Sequence, residues 1–321
     1  MQRILLLADN RTNLITPLLE QMAKMDLDTT YVDASDLCVL KKYPTVFHQA
    51  KAKLVDELFF RRKRNWGREN YIHDLCKNKF DHIIVLIPAM LTEPAYLTLK
   101  SAFKEKFTCV FWDSLNKAPS GKTALKFCNN FFSFDKDDCG YPGIKYLPTY
   151  IQEDIPTEKS EVVIPNRHYF GVFGIENEQD KRYQTIKEFA GSNPNLIGLI
   201  YLVSEKLEPK QYSINKTQIV HTNKRLIGDE LQQKIFEAQC ILDIVDERQT
   251  GLSPRMGNAY QSKRKLITNN ITALESDWFS ENTHVITKEC LNTPLEFVEK
   301  EYTHSKNPSC IPSWIDKVLN Y

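Results

Sequence analysis

The chain has 321 residues, enough for two domains of ordinary size. Its 42% hydrophobic and 26% charged content is that of a soluble globular protein, and a net charge of +1 excludes an overall nucleic-acid-binding electrostatic character. No apolar run approaches the roughly 20 residues that span a bilayer, no secretory signal is legible, and the eight cysteines lack CxxC or Cys/His spacing. That usage predicts reduced, mostly buried thiols in a cytoplasmic protein, with neither a disulfide framework nor a zinc site.

Arg3 to Ala8 is an apolar run of the kind found in a buried strand. A polar loop, Asp9 to Asn13, leads into Leu14 to Met25, whose apolar residues recur at helical spacing, and Thr29 to Val32 is the next strand. This is the opening βαβ unit of a doubly wound sheet. It has no GxGxxG fingerprint, which argues against a dinucleotide site in this half. Asp9 lies just past the first strand, where open sheets place functional groups, and is a candidate general base. A helix cap is the other reading of it.

Residues 46–78 read as a long basic helical segment, with Lys51, Lys53, Arg61, Arg62, Lys63, Arg64 and Arg68 interleaved with Leu54, Leu58, Phe59, Phe60 and Trp66. Three readings stand for positions 51–68: a solvated helix face, a patch that meets an anionic membrane surface, and a nucleic-acid patch. The last is the weakest, because the cluster is local and the rest of the chain is balanced. Asp81 to Pro88 is another strand, Tyr96 to Phe107 reads as its helix, and Thr108 to Trp112 and Asn129 to Phe134 as two more strands. Asp113 and Asp135 follow these last two. They would face one sheet edge, as acceptor-binding or proton-accepting groups or as loop caps.

Residues 149–166, charged and bounded by prolines, are the expected crossing between domains. Tyr169 to Phe173 opens a second sheet that stops at Gly174. Strands at Leu196 to Val203 and Thr217 to His221 follow, with helices at Tyr183 to Ala190 and Asp229 to Ala238. Lys181 and Arg182 open the first of these helices, where cations oppose the helix dipole, a placement that makes sense if an anion binds there. Cys240 to Val245 is a buried strand, and Gln249, Thr250, Gly251 and Leu252 break it. Ser253-Pro254 is a helix start, with Ser as cap and Pro at the first helical position. Arg255 to Gln261 makes about two turns, Lys263 to Lys265 is expected to cap their negative end, and Leu266 to Thr268 is the next strand. Backbone N–H groups around Gly251 to Arg255 could meet a pyrophosphate, with Arg255 neutralising it. One more βαβ unit with a glycine turn is the plainer reading. Ile311 to Leu319 closes the chain as an apolar-periodic helix.

Residues 105–290 resemble GT-B glycosyltransferases of the bacterial CgeB-like and surface-polysaccharide branch. The resemblance is carried by Cys240-Ile-Leu-Asp-Ile244, Gln249-Thr-Gly-Leu252, Arg255, Ala259 and Lys265-Leu-Ile-Thr-Asn269, together with Trp112-Asp-Ser114, Phe132 to Cys139 and Gly143 to Pro148. It implies an α/β GT-B fold: two facing Rossmann-like domains with a cleft between them, and a C-terminal helix that returns to the first. The implied division is 1–155 for the acceptor, 165–300 for the nucleotide-sugar donor, and 301–321 for the returning helix.

The activity implied is transfer of a sugar from a nucleotide-sugar donor, UDP-linked being the commonest, to a glycan or lipid-linked glycan acceptor, as in lipopolysaccharide or capsule synthesis. No cofactor and no metal are implied, and no nucleic-acid partner. Lys181 and Arg182 match a basic clamp on the donor phosphates beyond Gly174. The family's usual glutamate three positions after the arginine, which holds the donor ribose, is Asn258 here, a weaker partner for a diol. That departure supports an alternative, a non-catalytic nucleotide- or glycan-binding module. A sugar-nucleotide epimerase or hydrolase is the other.

Overall fold

The computed structural model describes residues 1–10, 14–33, 71–151, 164–275, 279–303 and 310–321. The basic segment 51–68 lies outside the described residues, as does most of the expected crossing at 149–166. The chain divides into two compact units, Met1–Leu147 with Pro312–Tyr321, and Pro148–Ile311.

The first unit is a parallel sheet of six strands, β1 (Arg3–Ala8), β2 (Asp28–Asp33), β3 (Phe80–Val85), β4 (Phe103–Phe111), β5 (Asn130–Ser133) and β6 (Ile144–Tyr146). Their order is β2-β1-β3-β4-β5-β6. Ile4 through Ala8 are fully buried, as a strand covered on both faces requires, which is why β1 reads as a continuous apolar run. Helix α1 (Ile15–Lys24) turns Ile15, Leu18 and Met22 inward, and α2 (Glu93–Lys100) does so with Ala95, Tyr96 and Leu99.

The expected helix at Tyr96 to Phe107 is corrected here. Helix α2 ends at Lys100 and β4 begins at Phe103. Phe107, Cys109 and Phe111 pack on one core at a spacing of two, Phe103 packs against it, and pairing with β3 runs through the charged Lys104-Glu105-Lys106 stretch with a shift of register.

The second unit has seven strands: β7 (Arg167–Gly174), β8 (Gly198–Val203), β9 (Lys210–Ile214), β10 (Thr217–Thr222), β11 (Ala238–Asp243), β12 (Lys265–Thr268) and β13 (Thr283–Val285). Their order is β13-β12-β11-β7-β8-β10-β9, and β9 runs antiparallel to β10 while the other pairs are parallel. Tyr169 and Phe173 point to one face of β7, under Tyr183, Ile186 and Phe189 of α3 (Lys181–Ser192). Phe170 points to the other face. There it meets Ile235 of α4 (Gly228–Phe236) and Met256 and Ala259 of α5 (Pro254–Gln261). Phe173 and Phe189 are wholly buried, and each such side chain contributes roughly 1.5–3 kcal/mol. Gly198 opens β8 because a Cβ there would run into the Tyr169 ring.

Lys265 departs from expectation. Instead of serving the end of α5, it is buried and its ammonium donates to the carbonyls of Phe297 (2.7 Å), Val298 (2.6 Å) and Lys300, closing the short helix α6 (Leu295–Glu299). The carbonyls at a helix end are unpaired within the helix, so a buried cation satisfies them. Helix α7 (Ile311–Leu319) follows. Within the first unit Trp314 packs on Trp112, and Lys106 donates to the Leu319 carbonyl at 2.6 Å.

Candidate functional site

In an open α/β sheet, ligands sit beyond the carboxyl ends of the strands where the strand order reverses. In the second unit that point falls between β7 and β11, since β8 lies on one side of β7 and the chain later returns to the other side as β11. Helix α3 follows β7, and α5 follows β11. Both helices therefore begin at this point, and each carries an arginine in its first turn.

The two arginines meet over one ring. The guanidinium carbons of Arg182 and Arg255 lie 5.1 and 5.0 Å from the centre of the Phe173 ring. Arg182 donates through Nε to the Ile244 carbonyl at 2.6 Å, and its guanidinium contacts no carboxylate among the described residues, while its backbone N–H donates to Asp180 at 2.8 Å. Burial first, and then the Arg255 cation, push its guanidinium down to about 10, so it stays charged at neutral pH. Arg255 donates through Nε to the Val172 carbonyl at 2.9 Å and through Nη1 to Asp243 at 3.0 Å. Asp243, the last residue of β11, is buried, and its other oxygen accepts the Ser253 hydroxyl at 2.5 Å. That hydroxyl also accepts the Arg255 N–H at 3.2 Å, which makes Ser253 the cap of α5. Two cations thus share one contacting carboxylate. Such an arrangement attracts an anion strongly, and it does so beside two helix amino termini.

Two asparagines hold the loop between β11 and α5. The Asn269 side chain accepts the Val245 N–H at 2.7 Å, and Asn270 donates to the carbonyls of Thr250 (3.1 Å) and Gly251 (3.0 Å). Gln249 closes a turn onto the Asp246 carbonyl at 2.9 Å, and Leu252 packs on the core beneath. Gly174 is exposed, with open space where a Cβ would lie. Asn258 sits one turn after Arg255 on the same helix face.

The structure brings together Gly174, Arg182, Gln249, Thr250, Gly251, Leu252, Ser253, Arg255 and Asn258 around one strand-end region. Lys181 stands apart from the arginine pair. It is exposed and engaged with Glu247, which also lies 3.8 Å from Lys288. Phe173, Asp243, Asn269 and Asn270 complete the site and were not singled out as site residues in the sequence. The legible signal was Asp243, a lone acid ending an apolar strand.

In the first unit the order reverses between β1 and β3. Asp9 is at that point, but the residue that anchors α1 is Asn10, whose side chain accepts the Ile15 N–H at 2.9 Å while its own N–H donates to Asp33 at 3.0 Å. Asp113 is on the surface, paired with Lys117 at 2.7 Å. Asp135 is buried and accepts the Asp137 N–H at 3.1 Å, capping the turn Lys136–Gly140. A neighbouring acid, Asp138, does the cross-linking. It accepts the Ser133 hydroxyl at 2.6 Å and the Leu115 N–H at 3.0 Å, and burial raises its pKa.

No family model matches the chain, and no curated protein matches it in sequence. Solved structures do resemble it. The glycotransferase of kitacinnamycin is 8% identical with a TM-score of 0.50, over 98% of this chain and 93% of that one. A UDP-N-acetylglucosamine 2-epimerase is 9% identical with a TM-score of 0.50, over 99% and 96%. A T4 phage BGT mutant in complex with UDP-glucose is 13% identical with a TM-score of 0.49, over 92% and 88%. At these identities the likeness is one of fold. The chain has an α/β fold of the GT-B class, built from two Rossmann-like units.

Proposed function

We propose that the chain is a glycosyltransferase that moves a sugar from a nucleotide-sugar donor to a glycan or lipid-linked glycan acceptor. The observation that carries this reading is the Arg182–Arg255 pair on the Phe173 ring at the strand-order reversal of the second unit. Glycosyl transfer from such a donor leaves a nucleoside diphosphate, whose charge grows as the bond to the sugar breaks. Two prepositioned guanidiniums stabilise that charge more in the transition state than in the ground state. In this scheme they act without an essential metal, Asn258 meets the donor ribose, and UDP is the first nucleotide to try. Asp9, Asp113 and Asp135 stand as the acids to screen for acceptor binding and deprotonation.

The branch of the family proposed is the CgeB-like one, with surface polysaccharide such as lipopolysaccharide or capsule as the product. The basic stretch 51–68 would hold the protein to an anionic membrane surface; among the described residues no helix is long and apolar enough to cross a membrane. Arg255→Ala is the direct test. Loss of one transition-state charge contact costs about 3 kcal/mol, so turnover should fall by about a hundredfold or more in a folded variant. Near-normal turnover would remove Arg255 from the mechanism.

An epimerase or hydrolase acting on the same donor is the second reading, because the fold is shared with a UDP-N-acetylglucosamine 2-epimerase. Consumption of nucleotide sugar with no acceptor present would favour it.

A further inference from the structure

Asp243 occupies an unusual place beside the proposed anion site, and the inference drawn from it rests on the function proposed above. Its carboxylate is buried at the end of β11 and is used on both oxygens, by Arg255 Nη1 at 3.0 Å and by the Ser253 hydroxyl at 2.5 Å. Arg255 Nε is taken by the Val172 carbonyl, and only its Nη2 is without a protein partner among the described residues. An arriving phosphate must therefore share Arg255 with a charge that is already there. Arg182, on the same ring, donates to a carbonyl, and its guanidinium is in direct contact with no carboxylate among the described residues.

We propose that Asp243 is a positioning residue that acts as a built-in competitor for the phosphate. It aims Arg255 and, by neutralising one of the two guanidiniums, keeps the diphosphate product from being held too tightly. Two arginines with no counter-charge would bind the leaving group more strongly and release it more slowly. One fixed carboxylate sets the balance between capture of donor and release of product.

The experiment is calorimetric titration of inorganic pyrophosphate and of UDP into the full chain, into Asp243→Asn, and into Arg255→Ala with and without Asp243→Asn. Asparagine keeps the shape and an acceptor for Arg255, removes the charge, and reverses the bond to Ser253, whose hydroxyl then accepts. The expected result is about tenfold tighter binding in Asp243→Asn, since a buried like charge beside the anion is gone. A smaller gain is expected when Arg255 is already alanine, because only the direct repulsion between Asp243 and the anion is then left to remove. Steady-state turnover should fall while a single turnover stays fast, as slowed product release demands.

A folded Asp243→Asn with unchanged or weaker binding overturns the inference, because a purely structural carboxylate would give one of those results. Absence of binding to the unaltered chain overturns both this inference and the function beneath it. Should Asp243→Asn fail to fold, carboxyl carbon NMR of the unaltered chain decides. The Asp243 resonance, assigned by its change in Asp243→Glu, must shift as pyrophosphate is added. A resonance that stays fixed at saturation overturns the competition.

Discussion

Replacing Arg182 by methionine separates stability from anion binding. In the folded protein its guanidinium is pushed down to about 10, chiefly by burial and then by Arg255. At 1.36 kcal/mol per pKa unit, holding that charge in place costs the empty protein about 3 kcal/mol. Against this stand the bond from Nε to Ile244, about 1.5–3 kcal/mol for a charged donor, and the stacking on Phe173, about 0.5–2 kcal/mol. Methionine keeps the length and the contact with the ring, relieves the buried charge and removes the repulsion with Arg255. The net expectation is a gain of about 1 kcal/mol for the empty protein, a rise of roughly 2–4 °C for a domain of this size. The group is protonated in both folded and unfolded chains at pH 7. Its contribution therefore changes only above about 10, where the unfolded chain keeps the proton longer and stability rises with pH. Thermal unfolding with and without pyrophosphate is the assay. The unaltered chain gains stability from the anion in proportion to its occupancy, and Arg182→Met should gain almost none. A variant more than about 1 kcal/mol less stable, or one still stabilised by pyrophosphate, would refute the reasoning that this cation is kept for a ligand.

Lys265→Met leaves three helix-end carbonyls without their donor and should lower stability by about 3 kcal/mol in urea unfolding; a loss below about 1 kcal/mol would show that water replaces the ammonium. Burial first, then Lys210, lowers the pKa of His221, so the unfolded chain binds a proton that the folded one refuses. Stability should fall as pH drops from 7 to 5, and the fall should be shallower in His221→Phe, whereas identical slopes would discount this group. Asn258→Glu adds a charge-assisted partner for a ribose diol on the Arg255 face of α5 and should tighten nucleotide binding by about tenfold. No change in a calorimetric titration would place the ribose elsewhere.

Much of the architecture was present in the order of the residues. Continuous apolar runs such as Ile4 to Ala8 and Cys240 to Ile244 mark strands buried on both faces, and Ser253-Pro254 marks a helix start, because these are local requirements of backbone and solvent. The short antiparallel strand β9 escaped notice, since Lys210 to Ile214 is a half-exposed edge with only a weak apolar pattern. The start of β4 was masked by three charged residues within a strand. Arg182 and Arg255 were legible as cations at two helix starts, 73 positions apart in sequence.

Their meeting was not legible. Sequence alone marked most of the parallel strands, the start of α5, and a cation at the start of each of the two helices. Only the tertiary structure decided that β7 and β11 are neighbours, because strand order follows from how two helical layers cover one sheet rather than from any local pattern. That choice places both guanidiniums on the Phe173 ring, turns Asp243 into the partner of Arg255, and sends Lys265 to the carbonyl end of a helix some thirty residues away. Charge is written residue by residue along the chain, whereas the company each charge keeps is set by packing.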